Sequence, residues 1–160
     1  MKCLIFSDSH GNTYNMQKAI RSHPDAEVVF FLGDGLSDAD TVASYVKGQM
    51  WIAVRGNCDF RSLFLDREAE KTTEITLEGK RIVLTHGDLY GVKYGLDKLK
   101  SLAHSRKADI VLFGHTHIPH EEYVGDEEGS FYLFNPGSLS SSYGILTLSG
   151  DTVLFSHARL

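Results

Sequence analysis

Short apolar runs alternate along the chain with amphipathic stretches, the pattern of layered α/β folds. Cys3 to Phe6 forms a buried-strand run that stops at Ser7-Asp8-Ser9-His10-Gly11. Asn12 or Thr13 then caps a helix running to about Ser22, where Pro24 forces the chain extended. Val28 to Leu32 is a second strand, stopping at Gly33-Asp34-Gly35. A helix near Asp38 to Val46 follows, then a strand from Trp51 to Val54 that ends at Arg55-Gly56-Asn57-Cys58-Asp59. Thr72 to Leu77 alternates, Glu78-Gly79-Lys80 turns, and Arg81 to Leu84 returns, which predicts a hairpin. Leu96, Leu99, Leu102 and Ala103 share one helical face, and Ile110 to Phe113 is another buried strand. From Ile118 onward the expectation is mainly strands: Glu121 to Val124, Phe131 to Phe134, Ile145 to Leu148 and Val153 to Phe155. Asn135-Pro136-Gly137-Ser138 and Ser149-Gly150-Asp151 supply turns between them. With no internal repeat or linker, the pattern predicts one mixed α/β domain over residues 1–160.

Composition narrows the class. At 160 residues, with 42% hydrophobic and 23% charged residues, the chain can bury a real core, which excludes disorder, collagen and coiled coil. Sixteen basic residues against 21 acidic ones give a net charge of -5. That balance offers no footprint for a stable nucleic-acid complex, which rests on many Lys and Arg contacts to phosphate. It leaves phosphate chemistry open, because bound metal ions can supply the positive charge. Two cysteines, Cys3 and Cys58, make no disulfide framework. The N-terminal apolar run is too short for a signal peptide, and nothing approaches the roughly 18 apolar residues of a membrane span. A cytoplasmic protein that does not engage membranes is the expectation.

The candidate chemistry lies at the strand ends. Five strand-like runs terminate in Asp, Asn or His beside Gly: Asp8-Ser9-His10, Gly33-Asp34, Gly56-Asn57, His86-Gly87-Asp88 and Gly114-His115-Thr116-His117. Ligands of open α/β sheets gather beyond the carboxyl ends of the strands. A lone Asp or His in such a place is more often a turn former or helix cap. Five in register are hard to assign to independent turns. Carboxylates, imidazoles and a carboxamide together suit Mn, Fe or Zn without a thiolate. Seven such groups exceed one four-coordinate ion and fit two ions that clamp an in-line displacement at phosphorus. His23, His104, His120 and His157 fall outside these clusters and are assigned to surface or helix positions, with His120 the nearest to the site.

Read in order, these motifs, with SDSHGN, RGNCD, LTHGD, GHTHIP and NPGS, resemble the calcineurin-like metallophosphoesterases, most of all the small YfcE-type phosphodiesterases. The resemblance runs from about Lys2 to Ser138. It implies a four-layer α-β-β-α sandwich with two mixed β-sheets. It further implies that Asp8, His10 and His117 hold one divalent ion, that Asn57, His86 and His115 hold the other, and that Asp34 bridges them. Mn is the expected metal, with Fe, Ni, Zn and Co as alternatives. In such a site a hydroxide bridging the two ions attacks a small phosphodiester, and Asn57 also donates to the substrate phosphate. Asp59 or Asp88 is expected to orient the imidazoles from behind. A homodimer is what the family suggests.

Two departures from the wider family follow. Many members read Gly-Asn-His where this chain has Cys58, and that His is thought to protonate the leaving group. A thiol with an ordinary pKa near 8.5 can donate a proton, whereas residue type alone makes Cys58 a small buried packing residue. Weak protonation predicts that activated aryl esters are cleaved much faster than alkyl ones. Asp38 comes one residue later than the family's second acid, so it is read as a helix N-cap as readily as a partner of the site. The pocket rim is expected around Leu36 to Asp40, Phe60 to Arg67, Tyr90 to Gly95 and Pro119 to Tyr123. Arg55 and Arg61 either meet phosphate or sit in solvated ion pairs. The rival function is a non-catalytic protein-binding scaffold, as the retromer subunit of this fold is, and a filled ligand set argues against it. A nuclease would need extra length and a basic surface.

Overall fold

The computed structural model describes residues 1–60 and 63–160. In chain order the strands are β1 (Lys2–Phe6), β2 (Val28–Phe31), β3 (Met50–Ala53), β4 (Leu63–Phe64), β5 (Arg67–Glu68), β6 (Thr72–Leu77), β7 (Lys80–Thr85), β8 (Ile110–Leu112), β9 (His120–Asp126), β10 (Gly129–Asn135), β11 (Ser142–Ser149) and β12 (Thr152–Arg159). The helices are α1 (Thr13–Ser22), α2 (Leu36–Tyr45) and α3 (Asp97–Arg106), with a single 3-10 turn at Asp88–Tyr90.

Two five-stranded sheets carry the fold, ordered β12-β11-β1-β2-β3 and β6-β7-β8-β10-β9. Each is mixed: β1, β2 and β3 run parallel, β11 is antiparallel to β1 and β12 antiparallel to β11, and β7, β8 and β10 run parallel between antiparallel β6 and β9. Alternation along each central strand sorts side chains into three apolar layers. Leu4, Phe6, Val29 and Phe31 face Met16, Ile20, Ala39 and Val42 of α1 and α2. Cys3, Ile5, Val28, Phe30 and Leu32 face Ile82, Leu84, Ile110, Leu112 and Phe134 across the space between the sheets. Val83, Val111 and Leu133 face Leu99, Leu102 and Ala103 of α3. The result is the α-β-β-α sandwich that the motifs imply. Each fully buried Leu, Ile or Phe contributes about 1.5–3 kcal/mol to it.

The local grammar follows the sequence closely. Asn12 caps α1, its side chain accepting from the Asn15 N–H at 3.1 Å. The β6–β7 hairpin closes on Glu78 and Gly79, both left-handed, as a two-residue turn requires. α2 departs from expectation: it starts at Leu36, with Asp38 in its first turn rather than capping it. The carboxylate at that helix end comes from Asp59, which accepts from the N–H groups of Gly35 and Leu36 at 2.9 Å each. A cap supplied from 23 residues downstream leaves no local signal. The small β4–β5 ribbon, turned on Leu65 and Asp66, was not expected either, because strands of two residues carry no periodicity.

Candidate metal centre

Parallel β1, β2 and β3 of one sheet and β7 and β8 of the other end at the same edge of the sandwich. The loops that follow them bring all seven expected side chains together. Asp8, His10 and His117 place a ligand atom each within 4.8 Å of one another, and so do Asp34, His86 and His115. Asp8 Oδ1 lies 3.1 Å from His117 Nε2 and 3.9 Å from His10 Nε2, and the two imidazole nitrogens are 3.5 Å apart. In the second group His86 Nε2 stands 3.3 Å from Asp34 Oδ2, 3.1 Å from His115 Nδ1 and 3.1 Å from Asn57 Oδ1. A separation of 4.0 Å between His86 Nε2 and Asp8 Oδ1 joins the groups.

Backbone conformation at these positions is unusual. Asp8, His10, Asp34, His115 and His117 all have φ between 44° and 68°, the left-handed region that non-glycine residues seldom occupy. Such strain persists only where the surroundings over-determine it. Those surroundings are visible here. Asp59 Oδ2 accepts from the Asp34 N–H at 2.8 Å and the Gly56 N–H at 2.7 Å, adding to its two bonds at α2. Asp38 Oδ2 accepts from Ser9 Oγ at 2.6 Å and the Gly11 N–H at 2.7 Å, bracing the loop that carries Asp8 and His10. Gly56 is required by close approach, since a Cβ there would collide with the Asp34 carboxylate.

Polarity asks for a cation. Asp8 Oδ2 is satisfied by Ser7 Oγ at 2.6 Å and the His115 N–H at 3.1 Å, whereas buried Oδ1 makes no hydrogen bond among the described residues. A buried, unsatisfied carboxylate oxygen is costly unless something positive faces it. His86 is fully buried and its Nδ1 donates to the Leu32 carbonyl at 2.7 Å, which aims Nε2 at Asp34, Asn57 and His115. Burial works against charge on His86, yet the Asp34 and Asp8 carboxylates outweigh it and raise its pKa. Burial likewise opposes the charge on Asp34, but hydrogen bonds from His86 and the Cys58 N–H hold its carboxyl well below the ordinary range. His115 is lowered, first by burial and then by the charges of His86 and Lys93. In both groups acceptor atoms converge where a divalent ion would satisfy them, and the mixed N and O donors fit Mn, Fe or Zn.

Several sequence expectations change here. Cys58 is exposed, not a packing residue, because its loop faces outward beyond β3. Its backbone N–H donates to Asp34 Oδ1 at 2.8 Å, and its Sγ lies 3.4 Å from Asn57 Nδ2. The hydrogen bond with Asp34, then burial and the charges of Asp34, Asp59 and Asp8, raise its thiol pKa. Asp59 grips the backbone around Asp34, and Asp88 pairs with Lys71 at 3.4 Å, so the bonds described for each go elsewhere than to an imidazole. Asp38 does brace the site, a role its one-residue shift in sequence concealed. Arg55 pairs with Glu68 at 3.7 Å, the ion-pair reading, while Arg61 lies outside the described residues. His23, His104, His120 and His157 bond to Tyr143, Asp126, Glu122 and the Asn135 carbonyl, away from the ligand groups. Beside Cys58, a cavity of about 430 Å³ is lined by Leu36, Asp40, Thr41, Phe60 and Leu63 among others.

Two stacked mixed sheets with paired acceptor groups at their shared carboxyl edge define a candidate divalent-metal site of the kind that metal-dependent phosphoesterases use. Comparison with known proteins agrees. The sequence model of the calcineurin-like phosphoesterase superfamily domain matches residues 1–158, and the chain belongs to that superfamily. It is 34% identical to the probable metallophosphoesterase YsnB of Bacillus subtilis over 158 residues, 94% of this chain and 86% of YsnB. It is 29% identical to the phosphodiesterase YfcE of Escherichia coli K12 over 171 aligned positions, 91% of this chain and 87% of YfcE. Wild-type Vps29 of Entamoeba histolytica, solved in complex with zinc, superposes with a TM-score of 0.75 at 18% identity, covering 99% of each chain. That likeness speaks to the fold alone. The family implies divalent metal ions, and the two ligand groups are where this chain would hold them.

Proposed function

We propose that this protein is a dinuclear-metal phosphodiesterase that hydrolyses small phosphodiesters in the cytoplasm. The carrying observation is the complete pair of ligand groups, with buried Asp8 Oδ1 unsatisfied between them. Asp8, His10 and His117 would hold one ion and Asn57, His86 and His115 the other, with Asp34 available to both and Mn the expected metal. Divalent ions held there would supply activation of water near neutral pH and positive charge for the phosphoryl oxygens. The chain's own residues position the reactants. His86 is aimed by the Leu32 carbonyl, Asp34 by the Cys58 N–H, and the Asn57 side-chain amide stands at the cluster edge to donate to a phosphoryl oxygen. Cys58, exposed at the rim and kept as a thiol by the acids around it, is on this reading the group that would meet the leaving oxygen. A thiol with a raised pKa is a weak acid for this task, so aryl esters should outrun alkyl esters by a large factor. Similar rates on both would remove that role.

The function is tested by hydrolysis of bis(p-nitrophenyl) phosphate against p-nitrophenyl phosphate, with added manganese or with chelator. The expected result is a metal-dependent preference for the diester that Asp34→Asn abolishes. Folded protein that retains metal yet turns over neither ester would favour the scaffold reading. Activity surviving Asp34→Asn would refute the ligand assignment.

A further inference from the structure

Between the segments that follow β7 and β8, which also carry His86, His115 and His117, is an apolar recess of about 180 Å³, lined by Val92, Leu96, Phe113, Thr116, Ile118 and His120. Both of its walls are anchored to candidate ligands. Thr116 lies between His115 and His117 in the chain, and its Oγ1 accepts from Asn135 Nδ2 at 3.0 Å and from the Ile118 N–H at 3.2 Å, which fixes that wall. The opposite wall, Val92, packs on Gly87, directly after His86; a Cβ on Gly87 would come within 2.8 Å of the Val92 side chain. Val92 and Phe113 are buried, while Ile118 stands 67% exposed at the mouth, a large apolar side chain with nothing described over it. No Asp, Glu, Lys or Arg is among the six residues that line the recess.

A phosphodiester brings two organic groups to the metals, and a monoester brings one group and an extra charged oxygen. Cys58, the group proposed to meet the leaving oxygen, sits on the loop after β3 of the first sheet, whereas the recess is built from the loops after β7 and β8 of the second. We propose that this recess receives the organic group that stays on phosphorus, and that the protein selects diesters whose retained group is a single ring or a branched alkyl. A cavity of about 150 Å³ is enough for benzene, so one ring matches the space. An apolar wall favours a carbon substituent over a second anionic oxygen, which turns the recess into the discriminator between diester and monoester. This assignment rests on the phosphodiesterase reading and adds the substrate class to it.

Its test uses substrates with one common leaving group: bis(p-nitrophenyl) phosphate, methyl p-nitrophenyl phosphate and p-nitrophenyl phosphate. Replacing Ile118 by Ala, at an exposed position that leaves the core intact, should raise KM for the bis-aryl ester by about tenfold with kcat unchanged. The methyl ester should move by less than about twofold, since its retained group scarcely fills the recess. An equal change for both diesters, or none for either, would overturn the proposal. A second readout is independent of turnover. In zinc-loaded protein, one phenyl ring of diphenyl phosphate should give NOEs to the methyl groups of Val92, Leu96 and Ile118. Bound diphenyl phosphate without those NOEs would overturn the assignment even if the protein proves to be a phosphodiesterase. NOEs in a protein that hydrolyses no ester would uphold the recess and refute the catalytic reading instead.

Discussion

The two ligand groups are built to different standards of rigidity. Asp34 and His86 are 3% and 0% exposed, and each is held by a backbone partner, the Cys58 N–H and the Leu32 carbonyl. In the other group Asp8 is equally buried, but the side chains of His10 and His117 are 46% and 49% exposed. The partners described for these imidazoles are one another at 3.5 Å and Asp8 Oδ1, at 3.1 Å from His117 and 3.9 Å from His10, with no backbone group among them. Both groups already hold their ligand atoms within 4.8 Å of one another, but the first is fixed by buried side chains with backbone partners and the second rests on two half-exposed imidazoles, so the first is the more rigidly preformed. A preformed site gives up less side-chain entropy on binding, so the inner position should fill first and empty last.

That difference is open to direct attack, and the largest effect should come from His86. His86→Ala removes an inner ligand and leaves the buried Leu32 carbonyl without its donor. We expect kcat/KM for bis(p-nitrophenyl) phosphate to fall by at least about a thousandfold, with about 1–3 kcal/mol of stability lost as well. His117→Ala should leave one tightly bound ion per chain by elemental analysis and cost little in stability. If His117→Ala empties both positions while His86→Ala empties neither, the ranking is wrong.

Next come the acids behind the ligands. Asp59→Asn turns one of two accepting oxygens into an amide that faces two of the four backbone N–H groups, and weakens the bonds to the other two by removing the charge; it should cost about 2–4 kcal/mol by urea denaturation. Asp38→Asn, at a carboxylate that braces Ser9 and Gly11, should cost about 1 kcal/mol and weaken metal binding at the outer position more than at the inner one.

A subtler effect is the pH dependence of the metal-free protein. The raised pKa of His86 contributes stability that is full below the ordinary imidazole value of about 6.5 and fades as pH rises through its folded value. The lowered pKa of Asp34 contributes stability that is present above about pH 3.9 and is lost as pH falls toward its folded value. Both are therefore fully present between about pH 4 and 6.5. An ion must displace the His86 proton, so the rise in Tm on adding zinc should be larger at pH 8 than at pH 6. His86→Ala should remove most of that difference. The smallest effect concerns the thiols. Burial pushes Cys3 up to about 12, so a thiol reagent at pH 8 should label Cys58 alone, and more slowly than a free cysteine, until the protein unfolds.

What was legible in sequence follows from the range of the forces involved. Central strands such as Val28 to Phe31 are buried on both faces, so they appear as unbroken apolar runs, and the clusters at their ends mark the site by position. The Asn12 cap is equally plain, because donor and acceptor lie three residues apart. The cap of α2 and the brace from Asp38 to Ser9 were hidden, since their partners are separated by more than 20 residues. The exposure of Cys58 is hidden from the sequence for a related reason. Cysteine is usually buried, and only the outward course of the loop after β3 decides otherwise.

Each ligand group draws on both sheets. Asp8 and His10 follow a strand of the first sheet and His117 one of the second; Asp34 and His86 divide in the same way. His10 and His117 are 107 residues apart in the chain. In polymer terms, an ion held there is a reversible cross-link that closes a loop of more than a hundred residues. Such a link stabilises chiefly by restricting the unfolded chain, and loop-closure entropy grows with loop length. Removing the metals would thus relax the topology of the whole molecule, and the two sheets should separate more readily and less cooperatively than in the loaded protein.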